Sequence, residues 1–79
     1  MELVNGREIM QHAIDNHYGI GAFNFINIET LKSILDSAEE KKSPVIVQCS
    51  TGAIKYAGLE TLVAICKAYA SKMSVPVCL

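Results

Sequence analysis

The sequence predicts an α/β fold built on a parallel sheet, and three observations predict it. Segments of helical period alternate with short apolar segments in the order helix, strand, helix, strand, helix, strand, which implies two right-handed βαβ units. The middle apolar segment, Val45-Ile46-Val47-Gln48-Cys49, is almost continuously apolar, the pattern of a strand covered on both faces. Of the 79 residues, 51% are hydrophobic. A chain of this size buries only about 60% of the surface its unfolded form exposes, so that much apolar surface points to part of a larger body or to an oligomer. Three parallel strands with two open edges suit the start of either a doubly wound sheet or a (β/α)8 barrel, and the pattern alone leaves both open.

The elements follow in chain order. Asn5 and Glu8 have capping-box spacing, and Ile9 and Ala13, with Met10 and Ile14, give the first helix a single apolar stripe that ends at 15–19. This is expected to be an outer, lid-like helix. Gly19 to Phe25 is short, apolar and interrupted by two glycines, which fits a buried strand better than a helix. Asn27 then offers an N-cap to a helix in which Leu31, Ile34, Leu35 and Ala38 share one face. Ser43-Pro44 ends that helix, because the residue before proline is pushed out of the α region. Val45–Cys49 is the second strand, closed by Ser50-Thr51-Gly52, and a loop runs on through Ala57-Gly58. Leu59, Leu62, Ile65, Cys66 and Tyr69 repeat at helical spacing until Ser71-Lys72-Met73-Ser74, and Val75–Leu79 reads as a third apolar strand.

Composition excludes several classes of function. Seven Lys+Arg balance eight Asp+Glu for a net charge of −1, and the longest basic run, Lys41-Lys42, follows Glu39-Glu40, so no nucleic-acid partner is expected. The amino terminus has neither a basic nor an apolar leader region, and no apolar run approaches the length of a membrane span, so no membrane partner is expected and the chain reads as cytoplasmic. Three cysteines without Cys-x-x-Cys spacing suggest neither a disulfide framework nor a zinc clip.

In both parent architectures ligands gather at the carboxyl ends of the strands. That directs attention to Asn24 and Asn27 after the first strand and to Gln48, Ser50, Thr51 and Gly52 after the second. Hydroxyls and free N–H groups at Ser50-Thr51-Gly52 could cradle a phosphate or oxyanion, although an ordinary capping turn is the plainer reading. The Asn24 amide either pins a neighbouring loop or faces a ligand. Other candidates are weaker. Gly19-x-Gly21 lacks the third glycine of a dinucleotide fingerprint and enters a strand rather than leaving one, so close packing at a turn is favoured. His12 and His17, about 500° apart on a helix, share no face on which to hold a metal. Lys55 reads as a solvated lysine rather than a Schiff-base amine, and Cys49, with no histidine nearby, as a core residue rather than a nucleophile.

Two blocks then carry a resemblance. Gly21-Ala22-Phe23-Asn24-Phe25-Ile26-Asn27 is followed by Ser43-Pro44-Val45-Ile46-Val47-Gln48-Cys49-Ser50-Thr51-Gly52-Ala53-Ile54-Lys55-Tyr56-Ala57-Gly58. In order and separation they resemble the class II, zinc-dependent ketose-bisphosphate aldolases over essentially the whole chain. Val75–Leu79 looks like the strand that leads into the family's His-x-Asp-His segment.

The resemblance implies that residues 1–79 are the N-terminal part of a single (β/α)8 TIM-barrel domain, its first three strands with their helices, incomplete in this chain. It implies reversible aldol cleavage of fructose 1,6-bisphosphate, or of tagatose 1,6-bisphosphate, to dihydroxyacetone phosphate and glyceraldehyde 3-phosphate. In that chemistry zinc acts as a Lewis acid that stabilises an enediolate, and an aspartate donates the proton. By the same resemblance Ser50 and Asn24 are substrate-binding residues. The catalytic aspartate and the three zinc histidines are expected beyond Leu79, so neither a catalytic residue nor a metal ligand is expected within this chain. The implied partner is a phosphorylated sugar, and the parent is expected to be a homo-oligomer. Alone, the chain is expected to be inactive and marginally stable. The rival readings are a non-catalytic interaction protein that pairs through its open sheet edges and a phosphate-binding half-module built on Ser50-Thr51-Gly52.

Overall fold

The computed structural model describes residues 2–79. Seven elements follow one another: α1 (Gly6–Asn16), β1 (Gly21–Asn24), α2 (Ile28–Lys41), β2 (Val45–Gln48), α3 (Thr51–Ala57), α4 (Leu59–Ala70) and β3 (Val77–Cys78). The strands form one parallel sheet in the order β1-β2-β3, with Gly21 opposite Val45 opposite Val77 and Asn24 opposite Gln48. The fold is therefore α/β, three parallel strands with flanking helices, as the alternation of periods requires.

Strand periodicity divides the sheet into two faces. Val45, Val47 and Val77 are buried on the face covered by α2 and α4, where they meet Leu31, Leu35, Ala38, Leu62, Cys66 and Ala70 in one core. The burial follows the helical stripes, since the buried residues of α2 are Leu31, Leu35 and Ala38 and those of α4 are Leu62, Cys66 and Ala70. Ala22, Asn24, Ile46, Gln48 and Cys78 share the opposite face. Gly6 of α1 approaches that face at Cys78, where a Cβ on the glycine would stand 3.3 Å from the thiol sulfur. Val4 ties the segment before α1 to β3 through a 2.9 Å bond from its N–H to the Val77 carbonyl.

Several expectations are corrected. The first strand is not buried: all of β1 is exposed, because it lies at a margin of the sheet to which no helix packs closely. The second strand is covered on one face only, with Val45 and Val47 buried, Ile46 half-buried and Gln48 exposed. The expected loop after Gly52 is the helix α3, which begins on the Ser50 cap and ends at Gly58, whose φ of 90° only glycine adopts readily. The cap of α1 is one-sided: the Asn5 side chain accepts from the Arg7 N–H at 2.7 Å without the return bond from Glu8. The ends of α1 and α2 close by the same device, since His17 and Lys42 take left-handed backbone at their C-caps. Among the described residues no helix is long and apolar enough to cross a membrane.

Candidate functional site

The parallel register brings the carboxyl ends of β1 and β2 side by side. Asn24 and Gln48 are register partners, and the Phe25 N–H continues the ladder to the Gln48 carbonyl at 3.0 Å. Partners in register project to the same side of a sheet, so their side chains meet, and Gln48 Nε2 donates to Asn24 Oδ1 at 2.7 Å. Both residues are exposed. Phe25, immediately after Asn24, is buried in the core and anchors the strand end from below. The Asn24 amide is thus held by a neighbouring strand while remaining accessible from solvent.

Two residues past β2, Ser50 is the N-cap of α3, and its Oγ accepts from the Ala53 N–H at 3.1 Å. That is the capping turn expected from its residue type. As an acceptor in this bond the hydroxyl keeps its own hydrogen, which can be donated elsewhere. Thr51 and Gly52 open the helix and are exposed, as are Lys55 and Tyr56 further along it. Asn27 serves structure rather than the site: its Oδ1 accepts from the Thr30 N–H at 2.8 Å, while Thr30 Oγ1 accepts from the Asn27 N–H at 3.2 Å. The arrangement therefore offers a neutral amide and a neutral hydroxyl at adjacent strand ends, suited to binding polar oxygens.

The remaining candidates lie elsewhere. His12 is bonded through Nδ1 to the Tyr18 hydroxyl at 2.8 Å, with the rings edge-to-face at 5.7 Å. At Gly21 a Cβ would stand 2.3 Å from the exposed Phe23 ring, which would have to shift, whereas the space around Gly19 is open. Burial pushes the Cys49 thiol up, in keeping with a packing role rather than a thiolate nucleophile. Cys66 is pushed up to about 11, by burial first and then by Cys49 and Cys78. A zinc ion does not fit the residues present: among the described residues no group of three or more His, Cys, Asp and Glu side chains could hold a metal.

The residue that sequence reasoning inspected without giving it a role is Gln48. Its position at a strand end was visible, but its contact with Asn24 depends on the register between two strands 24 residues apart in sequence.

Comparison with known proteins identifies a family. The family model for fructose-bisphosphate aldolase class II matches residues 4–79. A fructose-bisphosphate aldolase of Helicobacter pylori strain J99 is 46% identical over 65 residues, covering 82% of this chain and 21% of that protein. A sulfofructosephosphate aldolase of Alkalicoccus urumqiensis is 36% identical over 77 residues, covering 98% of this chain and 27% of that protein. Among solved structures, the YdjI aldolase from Escherichia coli K12 superposes with a TM-score of 0.86 at 37% identity, over 95% of this chain and 29% of that one. The chain thus spans between a fifth and a third of the length of these relatives. With the family model matched over nearly every residue and its three-stranded parallel sheet reproduced within a solved aldolase, the chain belongs to the class II fructose-bisphosphate aldolase family.

Proposed function

We propose that this chain supplies the first substrate-binding edge of a zinc-dependent aldolase that reversibly cleaves fructose 1,6-bisphosphate, or tagatose 1,6-bisphosphate, to dihydroxyacetone phosphate and glyceraldehyde 3-phosphate. Residues 1–79 are read as the N-terminal part of a single barrel domain. The observation that carries the proposal is the placement of Asn24 at the carboxyl end of β1 and of Ser50 just past the carboxyl end of the adjacent parallel strand β2, the end at which barrels of this type bind ligands. Family membership raises the expectation that this end is the active end; the two side chains give it chemistry.

The roles follow from hydrogen-bonding capacity. Ser50 donates its hydroxyl hydrogen to a ligand oxygen while its lone pair caps α3, so ligand contact does not require the turn to rearrange. Asn24 supplies a second polar contact on the neighbouring strand and orients the same ligand. Both positions bind and orient; neither moves a proton. The metal and the acid-base group come from residues other than these. Fructose bisphosphate is favoured by the names of relatives such as that of H. pylori, while another relative is named a sulfofructosephosphate aldolase.

Titration of the chain with dihydroxyacetone phosphate, followed by amide chemical shifts, tests the proposal. Shifts concentrated at Asn24 and residues 50–52 are expected; stationary signals there would refute it. Ser50→Asp sharpens the test, because it preserves an N-cap but places a negative charge against a phosphorylated ligand. A second reading, an interaction protein that pairs through β1, is favoured by the exposure of every β1 residue. Light scattering on the purified chain distinguishes it, since a monomer at all concentrations counts against strand pairing.

A further inference from the structure

We propose that a second copy of this chain covers the open edge of the sheet, pairing antiparallel with β1 about a two-fold axis at Phe23. The inference deepens the reading of β1 as a pairing strand by naming its occupant and register. The two edges of the sheet differ. The Val45 N–H donates to the Pro76 carbonyl, so Pro76 faces β2 and the adjacent Val77 carbonyl faces the far edge, where the Val4 N–H already donates to it. At the other margin the Phe25 N–H donates to the Gln48 carbonyl, so the N–H and C=O groups of Asn24 and Ala22 point away from the sheet. Gly21–Asn24 carries neither a charge nor a proline that would discourage pairing there.

The register follows from these groups. When Ala22 and Asn24 of one copy exchange hydrogen bonds with Asn24 and Ala22 of the other, the two Phe23 residues stand directly opposite each other as a non-hydrogen-bonded pair, the closer kind. Phe23 is in register with Val47, so its ring lies on the face that α2 and α4 cover. It is nevertheless 51% exposed, because a groove lined by Ser33, Ile34, Ser37 and Lys41 separates β1 from α2. Two such rings, one from each copy, fill that groove. The charges fit the same axis. Glu29, Ser33, Ser37 and Lys41 lie along one i, i+4 row of α2, with the acid at its start and the base at its end. Both serine hydroxyls donate back to the helix, at 3.0 Å to the Glu29 carbonyl and 2.8 Å to the Ser33 carbonyl, so the middle of the row is short and its hydroxyl hydrogens are engaged. The two-fold axis runs the two α2 helices antiparallel, which sets Glu29 of each copy against Lys41 of the other. Among the described residues the one ion pair is Lys32–Asp36, so Glu29 and Lys41 are free to pair across the interface.

Sedimentation equilibrium of the purified chain over a range of concentrations tests the proposal, with circular dichroism confirming that each variant is folded. A monomer–dimer equilibrium that stops at two copies is expected. Phe23→Glu sets two carboxylates opposite each other at an exposed position and should leave a monomer. Glu29→Lys and Lys41→Glu each turn both symmetry-related contacts from attraction to repulsion, and each should weaken the dimer about tenfold. Mixing those two variants is the discriminating arm. One then carries lysine at both positions and the other glutamate at both, so the equimolar mixture should form a one-to-one heterodimer at least as tight as the wild-type dimer. A misfolded variant would not be rescued in this way. A wild-type monomer at all concentrations would overturn strand pairing altogether, and growth past two copies would overturn the two-fold arrangement. Dimers that persist in Phe23→Glu, or a mixture no tighter than either variant alone, would mean association through another surface and overturn this one. The side chains of Asn24 and Ser50 take no part, so the ligand reading stands or falls on its own titration.

Discussion

The junction between β1 and α2 supports a quantitative prediction, because a reciprocal cap holds the chain as it leaves the candidate site. Asn27 is extended, with φ −153° and ψ 179°, and its Oδ1 accepts from the Thr30 N–H at 2.8 Å. Thr30 Oγ1 in turn accepts from the Ile26 N–H at 3.0 Å and the Asn27 N–H at 3.2 Å. Asn27→Ala leaves the Thr30 N–H without its cap, which costs about 1 kcal/mol for a typical N-cap. Thr30→Val keeps the branched shape but strands the other two N–H groups, at a cost of about 1 kcal/mol after partial rescue by water. Since both changes break one network, the double variant should lose less than the sum, with a coupling of about 0.5 kcal/mol or more.

Hydrogen exchange of the first-turn amides of α2 is the assay, because it reports local opening without requiring global unfolding. A loss of about 1 kcal/mol makes exchange at Thr30 and Leu31 roughly fivefold faster in Asn27→Ala, while amides in α4 are unaffected. Exchange within about twofold of the wild type, or strictly additive effects in the double variant, would refute the reciprocal cap as the anchor of this junction.

Other perturbations test other parts of the structure. The Glu39 carboxylate accepts from the Ser74 hydroxyl, and from the Ser74 N–H at 2.8 Å, bonds that hold its pKa below the usual carboxylate range. Its folded pKa being lower than its unfolded one, its stabilising contribution is complete above the unfolded value and is lost as pH falls through the folded value. Ser74→Ala should diminish that acid sensitivity, which acid titrations of both proteins followed by circular dichroism would detect. Gly58→Ala forces an L-residue to φ 90°, and should destabilise the α3–α4 corner by about 1–3 kcal/mol in denaturant or exchange measurements. Cys66, buried and with its thiol pushed up to about 11, should be the last of the three cysteines to react with an alkylating agent at neutral pH, a ranking that mass spectrometry reads directly.

The parts of this fold that were legible in the sequence are those governed by one local rule. Leu31, Leu35 and Ala38 mark the core face of α2 at helical spacing, and Asn27 marks its start, so both its existence and its buried stripe could be read directly. Leu62 and Cys66 do the same for α4. The α3 helix is not legible by periodicity because its seven residues begin Thr-Gly and carry no repeated apolar stripe, although Ser50 and Gly58 bracket it as cap and stop. Exposure of β1 is not legible in its apolar composition, which reports what a strand can bury, whereas exposure depends on whether a helix packs over it.

The same distinction applies to the candidate site. Asn24 and Ser50 were reachable by combining the strand-end rule with the family blocks, since both are local to recognisable segments. The Gln48–Asn24 bond was not, because it requires the register that pairs Gly21 with Val45. A slip of one residue would turn Gln48 to the other face and leave Asn24 unrestrained. Register here is fixed by burial of Val45 and Val47 under α2 and α4, so the meeting of Asn24 and Gln48 depends on the hydrophobic core beneath it.

The most direct test of the account is an aldolase assay on the purified 79-residue chain, with fructose 1,6-bisphosphate and added zinc, coupled to triose-phosphate detection and run beside a zinc determination. The account predicts neither turnover nor stoichiometric zinc, because the chain offers substrate contacts at Asn24 and Ser50 but no cluster of metal ligands among its described residues. Robust turnover with one zinc per chain would contradict it, and would place a complete catalytic centre within residues to which only binding roles are assigned.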